Sequence, residues 1–212
     1  MDAVVLTLHD ITSSVYQSVA DLLTGDGDAS EIMEDLDLAE RAIVETRDYM
    51  SQIRTTRDAV AIQLLHANAL HIIDHLTRLI RRGRMQDRRR DVASEPEMHQ
   101  SAGRLAKVMT QPIESVESWT RINHELERLW KEIDQRMEPF RQRSIARSEP
   151  GKAGADRTIA SLDAFRWLRR VFYHAWRIAF HLDPTTDQTA ILGEHRTSLE
   201  HDPDAFSHDR LH

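Results

Sequence analysis

The chain has 212 residues, a net charge of -7 and no cysteine, which excludes disulfides, thiolate metal sites and a cysteine nucleophile and fits a reducing cytoplasm. An acidic balance argues against nucleic-acid binding, because neutralising phosphates needs a basic face that the chain as a whole lacks. With seven Gly, six Pro, 6% aromatic residues and no sustained apolar/polar alternation, the composition points to an all-α fold rather than a sheet.

Six helical stretches follow from periodicity and end signals. The first spans about Asp2 to Leu23, with Val4, Leu8, Ile11, Val15, Val19 and Leu22 at helical spacing before the turn Gly25-Asp26-Gly27. The second opens at Asp28 as a capping residue and runs to about Arg54 through Ile32, Leu36, Ala39, Ile43 and Met50. The third begins at Thr55 and Asp58, carries the stripe Ile62, Leu65, Ala69, Ile72, Leu76 and Leu79, and ends at Gly83.

Residues 85–93 read as an arginine-rich connector. Ser94-Glu95-Pro96-Glu97 then has capping-box spacing with proline in the first turn, opening a fourth helix to about Met109. Pro112 reads as the start of a fifth, whose series Val116, Trp119, Ile122, Leu126, Leu129, Ile133 and Met137 leads to Pro139, where a proline should end or kink it. A loop at Ser148 to Gly154 precedes a sixth helix from about Asp156 to Leu182, stopped by Asp183-Pro184, and the polar remainder, 184–212, reads as a disordered tail.

The two halves resemble each other, so the expected organisation is a first three-helix unit at 1–84, the connector, and a second unit at 94–183. Laying His75 on His181, a shift of 181 − 75 = 106, places Ile62 on Leu168, Leu65 on Val171, Ala69 on Ala175, Ile72 on Ile178 and Leu76 on Leu182. No stretch reaches the roughly 20 apolar residues that cross a bilayer, and Met1 to Leu8 lacks the basic leader of a secretory signal, so a soluble, cytoplasmic chain is expected.

Two constellations could carry chemistry. On the third helix His71 and His75 stand one turn apart with Asp74 beside them, a spacing that permits a shared metal ion, although histidines flanking a core also serve as ordinary polar residues. On the sixth, Arg170, His174, Arg177 and His181 form a stripe without a carboxylate of its own, better suited to an anion or an acidic partner than to a metal. Arg81, Arg82, Arg84, Arg88, Arg89 and Arg90 crowd the turn between the halves and could meet an anionic membrane surface or an acidic protein patch, unless Asp87 and Asp91 neutralise them. Trp119, Trp130, Trp167 and Trp176 read as core or interface anchors. No Gly-rich phosphate loop, nucleophile elbow or catalytic carboxylate pair supports an enzyme.

The run Leu70-His71-Ile72-Ile73-Asp74-His75-Leu76 resembles the signature on the third helix of each PhoU repeat. Arg166 to Arg177, with His181-Leu182, is similar to the closing helix of the PhoU-like domain of bacterial sodium/phosphate cotransporters. The resemblance implies a tandem pair of three-helix bundles that regulates or assists phosphate uptake at the cytoplasmic face of a membrane. Its implied partners are a membrane phosphate transporter or its regulatory protein, a second copy in a homodimer, or the anionic membrane surface. The family's acidic metal motif is incomplete, with Leu70 at its first position and Trp176 and Phe180 at both positions of the second repeat, so no metal cluster or other cofactor is expected. The competing reading is a His/carboxylate bundle of the hemerythrin type, holding a metal ion or dioxygen, which needs further ligands such as Glu45, Asp48 or His66 around His71 and His75.

Overall fold

A computed structural model describes residues 2–52 and 60–186. Within them the chain is all-helical, with seven helices: α1 (Asp2–Thr24), α2 (Ala29–Gln52), α3 (Val60–Gly83), α4 (Gln86–Ser94), α5 (Pro96–Met109), α6 (Ser118–Ala146) and α7 (Lys152–Leu182). The expected cap of the third helix at Thr55 and Asp58 and nearly all of the expected tail lie outside the described residues.

Local chemistry sets the ends. Gly25 and Gly27 take φ of 83° and 79°, the left-handed region that glycine enters without a Cβ penalty, and turn the chain from α1 into α2. Asp28 Oδ1 then accepts the backbone N–H groups of Ser30 at 2.7 Å and Glu31 at 3.2 Å, satisfying two donors that have no carbonyl in the first turn. At the far hairpin Gly151 has φ of 97°, and a Cβ on Gly154 would stand 2.0 Å from the carbonyl oxygen of Glu149, so only glycine lets the loop close on α7.

The apolar stripes converge on a single core. Ile32, Leu36, Ala39, Ile43 and Met50 of α2 are buried as their spacing requires, and α1 contributes Val4, Leu8, Ile11, Val15, Val19 and Leu22. α1 packs against α2, α3 and α5, α6 lies along α7, and α3 lies along α7. Tyr16, fully buried on α1, donates its hydroxyl to the carbonyl of Ala175 on α7. Fully buried Trp119, in the first turn of α6, donates its indole N–H to His9 Nδ1 on α1, where burial holds the imidazole below its ordinary pKa despite the neighbouring Asp10.

Several expectations are corrected. The connector at 85–93 is largely the helix α4, anchored by buried Val92 and relieved of charge by the pairs Arg90–Asp87 and Arg88–Asp91, three residues apart. Ser94 closes that helix instead of capping the next, its hydroxyl turned back to the carbonyl of Asp91. Pro112 does not begin a helix: Ser118 Oγ accepts the amides of Glu114 and Ser115, both at 3.3 Å, and this turn delays α6 to Ser118, leaving Val116 48% exposed. Pro139 does not end α6, which continues to Ala146. One missing N–H is outweighed there by packing, since the next residue, Phe140, stacks on Phe165 of α7 at 4.5 Å between ring centroids.

Candidate functional site

The histidines singled out on α3 and the cationic stripe on α7 face each other in the seam between those helices. His75, His174, Arg177 and His181 are each only 5–6% exposed, and Asn68 is buried beside them. His75 Nδ1 meets His174 Nδ1 at 3.2 Å. One ring must therefore carry the proton and the other present a lone pair. About two turns away, His181 Nδ1 lies 3.3 Å from Asn68 Oδ1, while its Nε2 lies 3.2 Å from Arg177 Nη2. Because the amide oxygen only accepts and the guanidinium only donates, His181 holds its proton on Nδ1 and offers Nε2 to Arg177.

Ring packing completes the seam. His71 stacks on His181, centroids 4.8 Å apart and planes within 6°, and Tyr173 sets its edge against His75 at 5.8 Å. Trp176 stacks on Trp130 of α6 at 4.6 Å, and the Arg177 guanidinium covers Trp176 and Phe180, 5.2 Å and 4.4 Å from their centroids. Burial, first, and then His174, Arg177, His181 and His71 push the His75 pKa well below its ordinary value. Burial, then Arg177 and His71, push His181 down to about 2. Both rings are neutral in the folded chain.

The expected metal set does not assemble. Asp74 is exposed and pairs with Arg78 at 2.9 Å, turned away from the imidazoles, so it supplies no ligand to His71 and His75. Glu45 and Asp48 stand in solvent on α2, and half-buried His66 has no hydrogen-bond partner at Nδ1. Among the described residues no group of three or more His, Asp or Glu side chains could hold a metal ion. A guanidinium inside the seam also opposes a cation there.

The second cationic stripe is therefore not an open surface: His174, Arg177 and His181 are inside, and Arg170 is half-buried. The arginine turn is largely engaged within the fold. Arg84 reaches Asp37 at 2.5 Å and Glu40 at 2.7 Å on α2, Arg88 reaches Asp163 on α7 at 3.1 Å, and Arg90 pairs with Asp87 at 2.6 Å. The Arg82 carbonyl accepts the indole N–H of Trp167 at 3.1 Å. Exposed Arg81 and half-exposed Arg89 make no ion pair among the described residues.

One site was missed by sequence reasoning. Asp183, read only as a helix stop, is buried and accepts hydrogen bonds from Thr120 Oγ1, Asn123 Nδ2 and Thr185 Oγ1 at 2.8 Å and from the Thr185 amide at 2.9 Å. Burial would raise its carboxyl pKa, but the bonds from Asn123, Thr185 and Thr120 outweigh it and hold the group below the usual range. Asn123 interrupting the apolar series of α6 on its inner face was the available signal.

No protein-family model matches the sequence, and no curated protein or solved structure is significantly similar to it. No helix among the described residues is long and apolar enough to cross a membrane.

Proposed function

We propose that the chain is a PhoU-like accessory or regulatory module of phosphate transport, a tandem pair of three-helix bundles acting through protein or membrane-surface contacts rather than as an enzyme. The observation that carries this reading is internal duplication with one common set of inward positions. A displacement of 90 residues lays α1 on α5 and α2 on α6. Leu8, Ile11, Thr12, Val15, Tyr16, Ser18 and Val19 fall on Met98, Ser101, Ala102, Leu105, Ala106, Val108 and Met109, and Ile32, Leu36, Ala39, Ile43 and Met50 on Ile122, Leu126, Leu129, Ile133 and Phe140, every one of them buried. Helical periodicity alone brings faces into phase at several displacements, but the same one for two successive helices points to a repeated unit.

For α3 and α7 the displacement is 106, and Asn68, Ala69, Ile72, Ile73, His75 and Leu76 fall on His174, Ala175, Ile178, Ala179, His181 and Leu182, again all buried. The contacts obey the same relation. Exchanging the halves turns the pair His75···His174 into His181···Asn68, and the two are made at 3.2 and 3.3 Å. A tandem pair of similar three-helix units is what the PhoU resemblance implies. Deleting the gene from its host and following uptake of labelled phosphate at scarce and abundant external phosphate tests the reading. Uptake that no longer falls when phosphate is abundant supports it, and wild-type uptake in both conditions overturns it.

A further inference from the structure

We propose that the outward face of α2 is a docking surface for a basic amphipathic helix of a partner protein. α2 packs on α1 and α3, and Leu36, Ala39, Ile43 and Met50 turn to the core. On the opposite side Leu38 and Tyr49 are 59% and 56% exposed. Their spacing in sequence sets them about 20° apart around the helix and roughly 16 Å apart along it, so they stand on one line separated by about three turns. Glu45, exposed, lies between them on that line, and exposed Glu34 and Asp48 stand beside it. Two large apolar side chains are thus presented to solvent at a fixed separation, with a carboxylate between them.

Charge decides the occupant. α2 carries seven acidic residues and two arginines, a net charge of -5 out of the chain's -7. Of these acids Asp37 and Glu40 are held by Arg84, while Glu31, Glu34, Asp35, Glu45 and Asp48 make no ion pair among the described residues. A face so charged repels an anionic bilayer, and it repels its own copy in a two-fold dimer. A partner that covers both Leu38 and Tyr49 also covers Glu45, and a carboxylate taken out of water without a counter-charge is strongly unfavourable. The partner must therefore bring a lysine or arginine to Glu45 and apolar side chains to either side of it. A helix does this by spacing alone. Apolar residues at i, i+4 and i+11 share one face with a cation at i+7, and further cations at the edges of that face meet Glu34 and Asp48. Leu38 and Tyr49 supply the apolar contact, and the carboxylates select the partner. The surface names the partner's chemistry for the protein contacts proposed above and rests on that reading only in requiring a protein partner.

The probe is a labelled synthetic helix of alanine, leucine and lysine, with leucines at i, i+4 and i+11 and a lysine at i+7, the order in which Leu38, Glu45 and Tyr49 stand on α2. A peptide of the same composition with its leucines scattered carries the same charge and is the control. By fluorescence anisotropy at physiological salt, the native chain should bind the patterned peptide at least about tenfold more tightly than the scattered one. Leu38→Ala with Tyr49→Ala, both outside the core, should remove that preference and leave the melt unchanged. Glu45→Lys should weaken the patterned peptide by about tenfold, and a peptide with glutamate at i+7 should recover the loss. Equal affinity for the two peptides, a preference that survives Leu38→Ala with Tyr49→Ala, or no recovery by the glutamate peptide would overturn the proposal. So would self-association of the native chain, or its sedimentation with anionic vesicles, that the same two substitutions abolish, since the face would then belong to a second copy or to a bilayer. Phosphate uptake in the deletion host is a separate readout, so this surface and the transport reading fail independently.

Discussion

The carboxylate of Asp183, at the C-terminal cap of α7, accepts the side-chain amide of Asn123 from the interior face of α6 at 2.8 Å. Sixty residues apart, the two tie the end of one helix to the middle of its neighbour where both side chains are buried. Removing the donor leaves a buried carboxylate short of a partner, which costs more than the bond itself contributes. Asn123→Ala should therefore lower the unfolding free energy by about 1–3 kcal/mol in urea melts. His124→Ala, one position further on and exposed, should stay within about 0.5 kcal/mol. Equal effects would mean that the Asp183 clamp contributes nothing.

Stability should fall in two steps on acidification. Above pH 6.5, His75 and His181 are neutral in both folded and unfolded chains and give no slope. Below it the unfolded chain takes up protons that the folded chain refuses, because both folded-state values are depressed, His181 to about 2. Each ring then removes about 1.4 kcal/mol per pH unit. Asp183, whose folded value is also depressed, contributes stability that is present above its ordinary value of 3.8 and is lost as pH falls through the folded value. Urea midpoints between pH 8 and pH 3 should be flat down to about 6.5 and then decline, and His181→Gln should roughly halve the first slope.

The core positions of α1, α2 and α7, and of α3 from Ala69 to Leu79, were legible in the sequence because amphipathic periodicity and burial are the same fact seen twice, while Leu65 is only half-buried. Leu36, Ile43, Ile72 and Leu182 are all where their spacing puts them. The ends of α6 were not, because proline rules describe an isolated helix: the Ser118 hydroxyl holds a turn that Pro112 does not, and the Phe140–Phe165 stack carries the helix past Pro139. Composition made the segment of Arg88 to Arg90 look like a solvated connector, whereas burial of Val92 and pairing with acids at three-residue spacing and on α7 hold it as a helix. His75 and His181 could be named from spacing, yet their meeting across α3 and α7 is a tertiary fact, visible beforehand only as the 106-residue relation between them.

That relation makes a prediction about the core. Leu76 and Leu182 stand 106 residues apart, at matching positions under the proposed repeat, and both are buried, Leu76 completely. Leu→Ala at either should cost about 2–5 kcal/mol, the range for a buried leucine whose surroundings cannot collapse. The exposed Leu70, one turn and a half from Leu76 on the same helix, provides the control. Its change to Ala should cost less than about 0.5 kcal/mol, and a comparable loss at Leu70 and Leu76 would mean that α3 presents another face to the core.

The arginines between α3 and α5 divide into two classes that should behave differently. Arg84, 32% exposed, holds Asp37 and Glu40 of α2 and has its pKa raised by hydrogen bonds to Glu40 and Asp37, so its charge is already used inside the fold. Arg88 is committed to Asp163 and Asp91, and Arg90 to Asp87. Arg81 and Arg89 make no ion pair among the described residues, and these are the charges available to an anionic membrane surface. Arg84→Gln should thus lower stability by up to about 1 kcal/mol, the range of solvent-screened pairs, and leave sedimentation with anionic vesicles unchanged. Arg81→Gln with Arg89→Gln should do the reverse, leaving the melt unchanged and removing salt-sensitive vesicle binding, because two arginines near such a surface contribute only about 2 kcal/mol and are screened beyond roughly 8 Å at physiological salt. If the native chain does not sediment with anionic vesicles even at low salt, the arginine turn joins helices and has no part in membrane contact.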